Sequence, residues 1–207
     1  MSFSTVILAN GSFPQHEIPL GYLRNAEVIV CCDGSAGALV KYGFEPFAIV
    51  GDLDSIDTEN AEKYSDRIFV DKDAETNDLT KAVNWCIKKN YRDITILGAS
   101  GKREDHTIAN VSLLVEYARS LKVKMITDTG ILMPVLECTT IKSWPGQQVS
   151  VFSTDPETEI TSDGLKYKLN RLKLRNWWRA TLNEASGNSF RLEFSGGPIL
   201  VYLKFKD

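Results

Sequence analysis

The chain has 207 residues, 43% hydrophobic and 25% charged, with 24 Lys and Arg set against 27 Asp and Glu. This is ordinary globular composition, long enough for one large or two small domains, and a formal charge of −3 offers no basic field to hold a nucleic-acid backbone. No stretch approaches the ~20 apolar residues of a membrane span and the first ten residues lack a signal peptide's positive n-region, so a cytoplasmic protein with no membrane partner is expected.

Up to about Thr127, short apolar runs alternate with helical stretches, as in a mostly parallel α/β sheet. Strands are expected at Thr5 to Ala9, Glu27 to Cys32, Phe47 to Val50, Ile68 to Val70, Ile94 to Leu97 and Val123 to Ile126. Each is followed by Gly, Asp, Asn or Ser at the end where ligands bind in such sheets, so the chemistry is expected there. Between them, Asp78 to Lys89 carries Leu79, Ala82, Val83, Cys86 and Ile87 at spacings of three and four. His106 to Arg119 carries Ile108, Val111, Leu114, Val115 and Ala118 likewise, so both stretches read as amphipathic helices. Asn77 or Thr76 is placed to cap the first, and Asp105 stands just before the second.

Past Thr127 the texture changes to short alternating runs broken by Pro134, Trp144-Pro145-Gly146, Asp155-Pro156, Asp163-Gly164, Ser186-Gly187-Asn188 and Ser195-Gly196-Gly197-Pro198. Turn signals at roughly 8–12-residue intervals, with no clear helix, predict a small β-sandwich or barrel. The expected architecture is an α/β domain over residues 1–127, its mostly parallel sheet Rossmann-like, followed by an all-β sandwich domain over 128–207. Cys31, Cys32, Cys86 and Cys138 are expected to be buried reduced thiols, because adjacent cysteines in a strand point to opposite faces and make a poor metal clip.

Three constellations carry chemistry. In Ile49-Val50-Gly51-Asp52-Leu53-Asp54-Ser55 an apolar strand runs into two carboxylates one residue apart, hard oxygen ligands suited to Mg²⁺. The same residues also suit the capping of a following turn and helix, and a bare pair of this kind occurs in aspartate-nucleophile phosphatases and metal-dependent glycosyltransferases. Further carboxylates end neighbouring elements: Asp33, then Asp71, Asp73, Glu75 and Asp78. Lys81 stands at i+3 from Asp78 and so on nearly the same helix face.

The loop Gly98-Ala99-Ser100-Gly101-Lys102-Arg103-Glu104-Asp105-His106 joins a strand to a helix and has the makings of a phosphate cradle. Its glycines let backbone N–H groups approach oxygens, and Arg103 can grip two at once. It is not a P-loop, for the spacing G-x-x-x-x-G-K-[ST] is absent. His106 reads as a hydrogen-bonding or structural residue, and Asp33-Gly34-Ser35-Ala36-Gly37 as a second small-residue strand-to-helix turn.

Together, in order and spacing, these motifs resemble those of the thiamine pyrophosphokinases. The residues concerned are Asn10-Gly11, Asp33-Gly34-Ser35-Ala36, Gly51-Asp52-Leu53-Asp54-Ser55, the run from Asp73 through Glu75 and Asp78 to Lys81-Ala82, and the run from Gly98 through Gly101, Arg103 and Asp105-His106 to Asn110. Thr161-Ser162-Asp163-Gly164-Leu165-Lys166-Tyr167 extends the likeness into the β region. The resemblance implies transfer of the pyrophosphoryl group of ATP to the hydroxyl of thiamine, giving thiamine diphosphate and AMP, with Mg²⁺ as cofactor, in a homodimer.

It further implies Asp52, Asp54 and Asp78 around the metal and polyphosphate, with Lys81 and Arg103 neutralising phosphate charge. Asp33, Gly34, Ser35, Ser55, Asn77, Gly98, Ser100, Gly101, Asp105 and His106 would bind nucleotide, and Leu182 and Asn183 thiamine. Asp78 and Asp52 are both open as proton acceptors. Two positions depart from the family's pattern: Asn77 stands where a Thr is usual, and Leu182 where the family's Ser-Asn-Glu motif has its serine. Trp177 and Trp178 are candidates for an aromatic wall, with core packing expected of at least one. The rival classes are a phosphatase with Asp52 as nucleophile and a non-catalytic nucleotide-binding module.

Overall fold

The computed structural model describes residues 4–206, which form two compact units. The first takes in Met1–Leu113 with Ser120–Asp128, and the second Leu114–Arg119 with Thr129–Asp207.

In the first unit the strands are β1 (Thr5–Leu8), β2 (Val28–Cys32), β3 (Ala48–Gly51), β4 (Ile68–Val70), β5 (Asp93–Leu97) and β6 (Lys122–Ile126). All pair in parallel, in the order β4-β3-β2-β1-β5-β6. The inner strands β1, β2 and β3 are buried at every residue, which is why they read as unbroken apolar runs rather than as alternation. The chain winds outward from β1 to β4 and then returns to β5 on the other side of β1. That reversal opens a crevice at the carboxyl ends of β1 and β5.

Five helices accompany this sheet: α1 (Glu17–Arg24), α2 (Ser35–Lys41), α3 (Thr58–Lys63), α4 (Asp78–Lys88) and α5 (Glu104–Ala118). The two long ones are those expected from periodicity. The three short ones have too few turns to show a period, and α1 and α2 contain Pro19, Gly21 and Gly37. Local capping places two of them instead: His16 Nδ1 accepts from Ile18 N, and Asp57 Oδ1 from Asn60 N.

α4 is capped by Asn77, whose Oδ1 accepts from Thr80 N at 2.8 Å, and it buries Leu79, Ala82, Val83 and Cys86. α5 corrects two expectations. It begins at Glu104, so Asp105 lies inside its first turn, and Ile108 is 57% exposed because the early turns stand clear of the body.

The second unit contains β7 (Gly130–Val135), β8 (Thr139–Lys142), β9 (Gln148–Ser153), β10 (Glu159–Asp163), β11 (Leu172–Lys173), β12 (Asn183–Glu184), β13 (Ser189–Ser195) and β14 (Ile199–Lys204). They pair antiparallel as β12-β9-β14-β7 and as β11-β10-β13-β8. The inward residues Val149, Val151, Ile199 and Val201 of one sheet share a single core with Ile141, Ile160, Phe190 and Leu192 of the other. Besides the end of α5, the helical piece described in this unit is a 3₁₀ turn, Trp177–Ala180. Cys31, Cys32 and Cys86 are buried free thiols as expected, but Cys138 is exposed, because the chain turns there between β7 and β8.

Candidate active site

At the crevice the first unit holds a cleft of about 350 Å³ with two unlike corners. One is built from the loops that follow β1 and β5. The pairing of these strands continues beyond their ends: Ala9 N donates to Leu97 O, Gly11 N to Gly98 O at 2.7 Å and Ser12 N to Ser100 O at 2.9 Å. The loops lie so close that a Cβ on Gly11 would meet the Gly98 and Ser100 carbonyl oxygens. Gly98 and Gly101 take φ of +64° and +77°, open to glycine at little cost.

Asn110 Nδ2 ties α5 to this loop through the Ala99 carbonyl at 3.0 Å, and Lys102 Nζ donates to both the carbonyl and Oδ1 of Asn10 at 3.1 Å. Arg103 forks onto Asp105, with Nε to Oδ1 at 3.1 Å and Nη2 to Oδ2. That hydrogen-bonded guanidinium, joined by the His106 N–H, holds the Asp105 carboxyl down to about 2.

The other corner is acidic and gathers the ends of β2 and β3 and the start of α4. Asp33 is 1% exposed, takes φ of +33° and accepts from Ser55 N through Oδ2 at 3.0 Å. Its Oδ1 is buried with no partner. Burial pushes its carboxyl up, and Asp78, Asp54 and Asp52 add to the push against the Ser55 N–H. Leu53 at φ +71° turns the chain sharply between Asp52 and Asp54. The bend lets Asp52 Oδ1 accept from Asp54 N at 3.4 Å, while Ser55 Oγ donates to Asp54 Oδ1 at 2.7 Å.

Carboxylate oxygens of Asp33, Asp52 and Asp54 come within 4.8 Å of one another. Gly51 permits this crowding, since a Cβ there would lie 2.8 Å from Asp33 Cβ and 3.4 Å from Asp78 Oδ1. Lys81, its side chain 3% exposed, reaches from α4 to Asp78 Oδ1 at 3.1 Å and Asp52 Oδ2 at 3.4 Å. Burial works to lower its pKa, but the hydrogen bonds and charges of Asp78 and Asp52 outweigh that and raise it. Asp52 is pulled down, chiefly by the Asp54 N–H and also by Lys81.

Of the residues singled out in the sequence, Asp52, Ser55, Asn77, Asp78, Lys81, Gly101, Arg103 and His106 line the cleft. Asp33 and Asp54 complete the acidic corner, and Asp105 braces Arg103. Gly98 and Ser100 act through carbonyls that bind the facing loop. Ser35 is buried, its hydroxyl donating to the Leu8 carbonyl at 2.7 Å, and Gly34 passes against Ser55 O and Asn10 Nδ2, so both serve to join loops. Sequence reasoning passed over Thr76, Cys32 and Lys102 as lining residues. Lys102 had a signal, a charged residue directly inside the glycine loop.

The remaining candidates lie in the second unit. Asn183 is buried with its carboxamide engaged: Oδ1 accepts from Tyr167 N and Glu184 N, and Nδ2 donates to Tyr167 O at 2.7 Å. Leu182 projects at 75% exposure from a left-handed backbone at φ +55°. Of the two candidate tryptophans, Trp177 and Trp178, neither is core. Trp178 is 72% exposed, and Trp177 is 42% exposed with its ring edge-on to Phe152 at 6.0 Å.

The chain is similar to known proteins along most of its length. The family profile described as thiamin pyrophosphokinase, catalytic domain, matches residues 20–126, and that described as thiamin pyrophosphokinase, substrate-binding domain, matches residues 130–202. Thiamine pyrophosphokinase of Bacillus subtilis is 29% identical over 175 residues, covering 79% of this chain and 80% of that one. Thiamin pyrophosphokinase 1 of Caenorhabditis elegans is 28% identical over 176 residues, 73% of this chain and 68% of its own.

Among solved structures, thiamin pyrophosphokinase from Candida albicans superposes with a TM-score of 0.80 at 21% identity, over 98% of this chain and 90% of that one. The Bacillus subtilis enzyme gives 0.79 at 22% identity, over 98% and 99%. With one family profile matching residues 20–126 and the second residues 130–202, the chain belongs to the thiamine pyrophosphokinase family, whose members transfer the pyrophosphoryl group of ATP to thiamine to form thiamine diphosphate.

Proposed function

We propose that the cleft at the ends of β1, β3 and β5 is where this chain carries out that transfer, with ATP lying between the two corners and Mg²⁺ held at the acidic one. The observation that carries the reading is the buried, unpartnered Asp33 Oδ1 beside Asp52 and Asp54. Carboxylates crowded to this degree, with one oxygen left without a donor, suit a hard divalent cation. Bound there, Mg²⁺ would supply charge neutralisation for the polyphosphate. Asp52 and Asp54 are the residues assigned to hold it, with Asp33 behind them and Asp78, already engaged with Lys81, at the edge.

The chain's own groups account for the rest. The glycine corner offers closely approaching backbone in which phosphate oxygens can sit, and Arg103 and Lys81 bring positive charge to the face where the bond between the α and β phosphates breaks. The thiamine hydroxyl attacks the β-phosphorus, AMP leaves, and no covalent enzyme intermediate is needed. Asp52 and Asp78, both bonded to Lys81 at the edge of the acidic corner, are the two carboxylates placed to accept the hydroxyl proton.

We assign residues 1–127 to ATP and 128–207 to thiamine and dimerisation, a division supported by the substrate-binding description of the second profile. A homodimer, assigned to the cytoplasm, fits the exposure of the large apolar residues Tyr167, Trp177, Trp178 and Leu182, which a partner would cover. Among the described residues no helix is long and apolar enough to cross a membrane.

The test is a product assay with ATP, Mg²⁺ and thiamine. Equal appearance of AMP and thiamine diphosphate is expected. ADP or free phosphate in their place would refute the donor chemistry, and ATP-independent hydrolysis would bring forward the phosphatase reading. Light scattering at micromolar concentration tests the dimer, and a monomer mass would remove it.

A further inference from the structure

Building on the ATP reading of the cleft, we propose that Lys102 is the cation that first receives the nucleotide's polyphosphate. Three Lys or Arg side chains line the cleft: Lys81, Lys102 and Arg103. Two are already neutralised. Lys81 is shared between Asp52 and Asp78, and Arg103 is forked onto Asp105. Lys102 differs, because its ammonium donates only to neutral oxygens, the carbonyl and carboxamide of Asn10. Among the described residues no carboxylate pairs with it.

An arriving polyphosphate can draw Lys81 or Arg103 only by breaking charge-assisted bonds that already exist. Lys102 instead exchanges two neutral acceptors for charged ones, whose hydrogen bonds are roughly twice as strong. Its position agrees with this role. The Asn10 link holds Nζ of this exposed side chain across the crevice between the β1 and β5 loops. Its backbone stands at φ +57°, a left-handed conformation unfavourable to a residue with a Cβ, and such strain gathers where a site requires it.

Lys102→Met and Lys102→Gly test the assignment, the second removing the left-handed strain along with the charge. Binding of ATP, AMP and adenosine is measured by calorimetry without thiamine, and KM for ATP and for thiamine is measured in turnover. Both variants are expected to weaken ATP binding about tenfold, as for one charge-assisted hydrogen bond. AMP should weaken less, adenosine not at all, and the KM for thiamine should not move. Lys102→Arg is expected to restore most of the ATP affinity.

ATP binding within twofold of wild type in both variants would overturn the assignment. So would an equal loss for ATP, AMP and adenosine, which would mark Lys102 as no more than a strut for the Asn10 loop. The two readings fail separately: if wild type makes thiamine diphosphate and the variants bind ATP normally, Lys102 alone falls. If ATP binding depends on Lys102 but thiamine is never phosphorylated, the acceptor reading falls and Lys102 stands.

Discussion

The two corners of the cleft are built by opposite means. The acidic corner concentrates like charge: Asp33, Asp52, Asp54 and Asp78 crowd around Gly51, relieved on one side only by Lys81. It holds a buried carboxylate oxygen without a partner, and its backbone is left-handed at Asp33 and Leu53. The glycine corner is almost neutral, its two loops are hydrogen-bonded to each other through the main chain, and its one ion-paired arginine is solvent-exposed. The first corner therefore stores repulsion that a cation can release, while the second stores shape. Substitutions should separate the two: those in the acidic corner should remove turnover and spare stability, and those in the glycine corner should damage both.

The largest effect is expected for Asp54→Asn. It keeps size and hydrogen bonding but removes one charge, and it should lower thiamine diphosphate formation by about 10²–10³-fold, as losing one electrostatic contact in a transition state does. Its melting temperature should stay within a degree or two of wild type. Full activity at saturating Mg²⁺ would break the assignment of the acidic corner.

Next comes Gly11→Ala, where the new methyl meets two backbone oxygens that cannot swing aside. A loss of about 1–3 kcal/mol is expected in urea unfolding, with ATP binding weakened as the loops are forced apart. An unchanged midpoint would show that the β1 and β5 loops separate freely.

Magnesium itself supplies a third test. Millimolar MgCl₂ without nucleotide should raise the melting temperature of wild type by a few degrees through mass action. It should raise that of Asp33→Asn less, because the repulsion it relieves is partly gone already. Equal rises in the two proteins would detach Asp33 from the metal site.

Asn77→Ala should have a smaller effect, about 1 kcal/mol from the lost α4 cap. Turnover should fall only modestly, because Asp78 and Lys81 follow the same helix end. The least effect concerns thiols. Cys32 lines the acidic corner but burial and the nearby thiols and carboxylates hold its pKa well up, and burial pushes Cys31 and Cys86 up to about 12. Native protein should react with a thiol reagent at Cys138 only, with no loss of activity, and rapid labelling of Cys32 would show that the acidic corner opens to solvent.

Much of this was legible before any coordinates. Parallel strands buried on both faces must be short, apolar and abruptly ended, so β1, β2, β3 and β5 could be read together with the polar turns that end them. α4 and α5 were long enough to show a period, and Asp52, Asp54, Asp78, Lys81 and Arg103 announced themselves by charge at those ends. The sequence by itself thus determined the alternation of elements, the change of texture after Thr127 and the residue types needed to handle a polyphosphate, because all three depend on near neighbours along the chain.

Tertiary structure alone decided which of those residues meet. Ser35 and Asn183 were expected at the nucleotide and at thiamine, and only the fold shows that one bonds the β1 main chain and the other clamps Tyr167, for a hydroxyl or carboxamide finds its partners among distant backbone groups. Asp33, twenty residues ahead of its partners, enters the acidic corner only because β2 and β3 are neighbours in the sheet. Lys102 stands apart from Lys81 and Arg103 only once it is known which cations already hold a carboxylate. Pairing of charges across a fold depends on distances in space, and those are set by strand order rather than by spacing along the chain.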